Sequence, residues 1–381
     1  MRVVVAPDSF KGSIGAAAAA AAIAVGWRQV RPADEVIELP LADGGEGTAS
    51  VVAAAVPASR WRVVEVSGPA ADRVTAGWLE IPGNGAVVEL AAAAGLPLMR
   101  QPSPLTAHSF GVGQLIGMAL DAGARHVDVA LGGSACTDGG TGALAALGAR
   151  FLDAGGCELP LGGGALTRLA SVDLSGLRAR PTDGTSCLTD VRAPLLGSGG
   201  AAAVFGPQKG AGPADVAVLE AGLDRLTEFL GGNPDAPGAG AAGGCAYGLA
   251  AAWSATLQPG AERIAAIAGL PAALARADLV ITGEGRYDVT SLGGKVVGAV
   301  LEAARAARVT ARIVAGQLDF SALPDRAVPH RSALPGLPAE VGAAELIALA
   351  GSLEAALAEP GRWLTAAGRQ LAERVASESA C

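Results

Sequence analysis

The chain has 381 residues, 51% hydrophobic and 17% charged, a balance that excludes disorder and leaves room for two domains with buried cores. Its net charge of −8, with no long basic run, argues against a nucleic-acid partner; an anionic small ligand stays open, because a pocket can differ in sign from the surface. Aromatics make up only 3%, so Ala, Leu and Val must build the core, and the 55 glycines cluster beside apolar runs as loops and turns.

The first elements read as two βα units. Residues 3–6 form a short apolar strand, Ser13 is placed to cap a helix over 14–30, residues 36–39 form a second strand, and 48–56 a second helix. The apolar stretch 16–25 is too short to span a bilayer and follows a strand and a polar loop, so it reads as a buried Ala-rich helix rather than a signal peptide. The pattern then changes: residues 62–67, 73–81 and 86–90 are strand-like and separated only by turns, which implies antiparallel pairing. A helix over 109–122, strands at 127–131 and 186–190, and a helix over 213–230 follow, with 231–244 read as an exposed Gly/Pro loop. The parallel style returns with a strand at 279–282, a helix over 296–308 and a strand at 311–315.

This layout predicts an α/β protein of two α/β domains. A parallel-sheet, Rossmann/flavodoxin-like three-layer domain comprises residues 1–60 plus 278–381, and an inserted mixed-sheet domain comprises 61–277. Ligand is expected in the interdomain cleft, where strand ends and loops converge.

Five polar loops at strand ends carry the chemistry. Asp8-Ser9-Phe10-Lys11-Gly12-Ser13 puts a carboxylate, two hydroxyls and an ammonium between strand and helix, a setting for phosphate or carboxylate. Asp43-Gly44-Gly45-Glu46-Gly47 offers acids for Mg²⁺ or substrate hydroxyls. Gly132-Gly133-Ser134 with Asp138-Gly139-Gly140 can bring backbone N–H groups close to phosphate oxygens. Asp190 closes a strand, where a base could meet a substrate hydroxyl, and Lys209 sits in a Gly/Pro loop suited to a transferred phosphoryl group. Last, Gly283-Glu284-Gly285-Arg286-Tyr287-Asp288 leads to Gly293-Gly294-Lys295; Val296 replaces the Ser/Thr of a P-loop, so this is not a Walker A motif. The five cysteines are odd in number and lack C-x-x-C spacing, which points to free thiols in a reducing cytosol, with Cys136 a small buried residue. Nicotinamide-binding and serine-hydrolase signatures are missing from the sequence, so the loops together point to a phosphate-bearing ligand.

The motifs from Ala6 to Ser13, Pro40 to Thr48, Gly132 to Gly140, Phe205 to Gly210 and Gly283 to Arg286 occur in an order that closely resembles the bacterial type-I glycerate kinases, over residues 1 to about 320. The resemblance implies ATP-dependent phosphorylation of D-glycerate to 2-phosphoglycerate with Mg²⁺; charge, thiols and segment lengths lead us to expect a cytoplasmic protein, monomer or homodimer, with no nucleic-acid or membrane partner. A kinase for a related small hydroxy acid, 3-phosphorylation, or a non-catalytic ligand sensor are the alternatives. In the expected mechanism Asp190 is first choice for the base, with Asp8 and Asp288 behind it. Lys11, Lys209 and Lys295 meet phosphate or carboxylate, and Arg286 clamps the substrate carboxylate. Ser9, Gly44, Gly45, Gly133, Ser134, Gly139, Gly140, Gly283 and Gly285 line the ligand, and Asp43, Asp138 or Glu284 hold Mg²⁺.

Overall fold

Val3, Val4 and Val5 are all fully buried, which a strand achieves only when both faces of its sheet are covered. Their alternation divides the core. Val3 and Val5 pack with Ile23, Trp27, Leu364 and Leu371, whereas Val4 packs with Leu270, Leu274, Val280 and Val300. In this computed structural model, which describes residues 1–288, 291, 295–319 and 342–378, the strand Arg2–Val5 lies within a five-stranded, wholly parallel sheet. The order across that sheet is Gly342–Glu345, Thr310–Leu318, Leu279–Tyr287, Arg2–Val5, Glu35–Glu38. From Arg2–Val5 the chain steps one way to Glu35–Glu38; from Leu279–Tyr287 it steps the other way. Between those two strands the winding reverses, and loops leaving their carboxyl ends diverge to open a crevice.

This sheet belongs to the first of two units, Met1–Asp43 with Ala261–Cys381; the second is Gly44–Gly260. Contacts thus divide the chain at 43/44 and 260/261, where patterning places the boundaries at 60/61 and 277/278. The difference has local causes. The helix Thr48–Ala55 belongs with the strands Arg73–Ile81 and Gly85–Glu89, and Ala49 donates its N–H to Glu89 Oε1 at 2.6 Å. Ala261 and Ala265, on the helix Gly260–Ile267, pack with Val4 of the first sheet.

The second unit carries a six-stranded mixed sheet, ordered Thr256–Pro259, Thr185–Thr189, His126–Ala130, Gly85–Glu89, Arg73–Ile81, Arg60–Ser67. The first four strands run parallel and the last two pairings are antiparallel, as the short turns at 68–72 and 82–84 require. Helix Phe110–Asp121 contributes Val112, Leu115 and Ile116 to its core, and helix Pro213–Leu230 contributes Leu219, Leu223 and Leu226.

Several local expectations change. Ser13 is not the helix cap: its hydroxyl bonds the Phe10 carbonyl at 2.7 Å, and the helix starts later, over Ala16–Val30. Residues 239–244 are buried, not an exposed loop, because their small side chains let the backbone enter the core; a methyl on Gly243 would lie 2.2 Å from the Cys136 carbonyl oxygen. Gly293 and Gly294 lie outside the described residues. No helix among the described residues is long and apolar enough to cross a membrane.

The Ala-rich helix Ala16–Val30 packs on the C-terminal helix Pro360–Glu378 with backbone against backbone. A methyl on Gly26 would stand 1.9 Å from the Thr365 carbonyl oxygen, and one on Gly368 would stand 2.2 Å from that of Ile23. Ala is intrinsically the better helix former by about 1 kcal/mol, so the sign of Gly26→Ala separates propensity from packing. We expect overpacking to win, with a net loss of about 1–3 kcal/mol in chemical denaturation. A stabilised variant would show that the helices are free to separate.

Candidate active site

At the carboxyl ends of Arg2–Val5 and Leu279–Tyr287 lies a cavity of about 330 Å³ within the first unit. Asp8, Ser9, Lys11, Asp43, Glu284, Gly285, Arg286, Asp288 and Lys295 line it, so nine of the residues singled out in the sequence meet there.

Asp8 is held by the sheet itself. Its N–H donates to the Gly283 carbonyl at 2.8 Å, continuing the pairing of the two strands, and its carboxylate accepts from Ser9 N–H at 2.6 Å. The side chain is buried, and that burial, followed by the nearby Asp43 carboxylate, pushes its pKa up to about 7. The Ser9 N–H and the Lys11 ammonium pull the other way without cancelling the rise. Asp43 is also buried and pairs with Lys11 Nζ at 3.1 Å, while the stem of Lys11 stays in solvent. Glu284 is raised too, chiefly by burial, and its Oε1 has no hydrogen-bond partner among the described residues. Lys295 directly precedes the helix Val296–Ala307 and counters the charge of Glu284. Arg286 is exposed and ion-paired to Asp319, with Asp288 Oδ2 at 3.8 Å from its Nε.

Residues 283–287 were expected to form a Gly-rich phosphate loop. They are instead a continuation of the strand, paired with Thr310–Leu318 from Gly283↔Val314 to Tyr287↔Leu318. Gly283 therefore serves close strand approach rather than an anion nest: a methyl on it would meet the Val314 carbonyl oxygen at 2.2 Å, whereas one on Gly285 would meet only Phe10 and Lys11, at 3.4 Å or more. The extension is what aims Glu284 and Arg286, two residues apart on one strand face, into the cavity.

In the second unit most of the expected ligand groups are turned inward. Asp138 is fully buried. Its Oδ2 accepts from Ser109 N–H and Ser109 Oγ, both at 2.8 Å, and from Gly142 N–H at 3.2 Å, while Oδ1 accepts from Gly140 N–H at 3.1 Å. With both oxygens so engaged, it anchors the loop rather than holding a metal. Gly139 and Gly140 are buried and do not offer phosphate N–H groups, since Gly139 donates to Gly243 O at 3.0 Å and Gly140 to Asp138. Lys209, expected on phosphate, is 2% exposed; its ammonium donates to Ser134 Oγ at 2.9 Å and to the Cys136 carbonyl at 2.5 Å. Burial lowers its pKa, and it clamps the loop from beneath. Gly133 is exposed, and Gly132 N–H reaches the Gly44 carbonyl at 3.2 Å, which brings the loops containing Gly133–Ser134 and Gly44–Gly45 together. Asp190 follows the strand Thr185–Thr189 and is partly exposed. Cys136 is fully buried and its thiol is pushed up by burial, as a small core residue should be.

Sequence reasoning missed Ser109, which lies 29 residues from the Asp138 it secures, and Asp319, which holds Arg286. It also missed the apolar lining from Leu346, Leu353, Leu357 and Pro360. No local motif marks any of these. Among the described residues no group of three or more His, Cys, Asp or Glu could hold a metal ion. Mg²⁺ needs only one or two carboxylates beside substrate phosphates, and Glu284 Oε1, near Asp8 and Lys11 and without a partner among the described residues, is such a hard donor.

Compared with known proteins, residues 3–376 match the Glycerate kinase family. The "Glycerate 2-kinase" of Escherichia coli (strain K12) is 42% identical over 308 residues, covering 78% of this chain and 80% of that protein. The "Glycerate kinase" of Bacillus subtilis (strain 168) is 42% identical over 330 residues, covering 84% and 85%. A crystal structure from Salmonella typhimurium LT2, provisionally named glycerate kinase 2, superposes with a TM-score of 0.83 at 37% identity over 100% of both chains. The match extends past residue 320, where the motif resemblance ends, into the C-terminal helix Pro360–Glu378.

The raised pKa of Asp8 fixes a stability trend. The native state holds the Asp8 proton more tightly than the unfolded chain, whose value is the ordinary 3.8, so the contribution of this group to stability is greatest below that value. It falls as pH rises toward about 7 and levels off above. The slope from this one proton is at most about 1.4 kcal/mol per pH unit. Asp8→Asn keeps the Ser9 hydrogen bond and removes the ionisation, so its denaturation midpoint should overtake wild type above neutrality. Parallel curves for the two proteins from about pH 4 to 8 would contradict a buried, raised Asp8.

Proposed function

The chain belongs to the glycerate kinase family and is a phosphotransferase acting on an alcohol group; on that premise we propose that it phosphorylates D-glycerate from ATP at the 2-hydroxyl. The observation that carries this reading is the first unit's cavity, which the buried Asp8 carboxyl lines together with three cations, Lys11, Arg286 and Lys295. Phosphoryl transfer needs a proton acceptor and neutralised oxygens, and little other covalent chemistry from the protein.

Asp8 is the proposed acceptor. A base whose pKa lies near the working pH combines a useful ionised fraction with real proton affinity, and Asp8 is pushed up to about 7. This puts Asp8 ahead of Asp190. Lys11, Arg286 and Lys295 bind the glycerate carboxylate and the transferred phosphoryl oxygens, with Arg286 pre-oriented by Asp319. Glu284 and Asp43 would hold Mg²⁺ through oxygen, and the ion would supply charge neutralisation of the donor phosphates. The anchored loop around Gly133 and Ser134 offers a rigid polar edge in the second unit, and it stays in place because Lys209 and Asp138 hold it from within. The 2-hydroxyl is chosen by analogy with the Escherichia coli relative.

Phosphorus-31 NMR of the purified protein with D-glycerate, ATP and Mg²⁺ tests the reading. A monoester resonance at the position of 2-phosphoglycerate is expected, and Asp8→Asn should slow its appearance by at least ~100-fold. A 3-phosphoglycerate signal would overturn the regiochemistry. Unchanged ATP with folded protein would overturn glycerate as acceptor, and turnover of the variant within a few-fold of wild type would remove Asp8 from the base role.

A further inference from the structure

The cavity beside Asp8 is more two-sided than a three-carbon hydroxy acid requires. Its charged lining sits on and after the strands Arg2–Val5 and Leu279–Tyr287, in the middle of the sheet, with Asp43 following Glu35–Glu38 on the side away from Thr310–Leu318. The next strand outward, Thr310–Leu318, contributes Gln317, the register partner of Arg286. Beyond it, Gly342–Glu345 runs directly into Leu346, and the short helix Leu353–Ala358 adds Leu353, Ala356 and Leu357, followed by Pro360. The lining thus changes along the sheet's carboxyl edge from charged at the switch point to apolar at the outer strand.

Leu353 and Leu357 are four residues apart and share one face of their helix. They line the cavity yet remain 54% and 51% exposed, although leucine gains much from burial. Glycerate cannot cover them, since all but its short carbon chain is polar. A ligand with a polyanionic end and a flat apolar end matches the gradient.

We propose that this apolar end holds the purine of the phosphoryl donor, with the base against Leu353 and Leu357 and its polar edge on the Gln317 carboxamide. A carboxamide both donates and accepts, as an adenine edge requires. The phosphates then run along the sheet edge toward Arg286, Lys295 and Asp8. The proposal deepens the kinase reading and rests on it for the identity of the donor.

The test is calorimetric titration of the full chain with ADP and, separately, with inorganic pyrophosphate, for wild type, Leu353→Asp and Leu357→Asp. Each variant should weaken ADP by at least about tenfold and leave pyrophosphate within about twofold, because only the nucleoside meets the leucines. In turnover, KM for ATP should rise while KM for glycerate holds. ADP affinity within about twofold of wild type in both variants, or equal losses for ADP and pyrophosphate, would overturn the proposal. The double variant Leu353→Ala/Leu357→Ala replaces either Asp variant that fails to fold, with a loss of about fivefold or more expected for ADP alone. Failure of the kinase reading is visible separately, as wild-type protein that binds ADP but does not phosphorylate glycerate.

Discussion

A carboxyl group kept out of water beside another carboxylate is the interaction around which the first unit is arranged. Asp8 owes its position to the strand pairing that continues into Gly283 O, and its raised pKa to burial and to Asp43. Neither could arise on a solvated loop. Parallel strands covered on both faces supply the rigidity, and the reversal of winding between Arg2–Val5 and Leu279–Tyr287 supplies the opening. Retaining such a group opposes stability, and residues of this kind cluster where chemistry requires them.

The second unit answers a different need. Its loop containing Gly133 and Ser134 rests on buried polar anchors, with Asp138 accepting four hydrogen bonds and Lys209 gripping Ser134 and the Cys136 carbonyl. A half-satisfied network of this kind would be worse than an apolar core, so the saturation of Asp138 fixes the loop's conformation. Charged residues that look like ligands in the sequence can therefore be the scaffold of a site rather than its surface.

Much of the fold was legible because periodicity and turn chemistry agree with it. The antiparallel turn-linked strands, the parallel style at both ends of the chain and the helix Pro213–Leu230 all follow from local pattern. So does the set Asp8, Lys11, Asp43, Glu284 and Arg286, since strand-end loops are where α/β proteins gather polar groups. What local pattern could not carry was direction. Gly283 and Gly285 look like a loop in sequence because Gly favours loops, yet both lie on a strand, and the neighbouring strand uses Gly283's lack of a side chain for close pairing. Asp138 and Lys209 read as outward because charge is usually solvated, and only the remote Ser109, Ser134 and Cys136 turn them inward. The same holds for Leu353 and Leu357, whose relation to Arg286 exists only through the order of strands.

The measurement that bears most directly on this arrangement is a carbon-13 NMR titration of the Asp8 carboxyl in labelled protein, assigned by comparison with Asp8→Asn. A midpoint near the value of about 7 that burial and Asp43 impose would establish a proton acceptor poised by the fold. A midpoint close to the ordinary 3.8 would mean that water or cations reach the carboxylate freely, and Asp8 would then be a turn residue rather than the base.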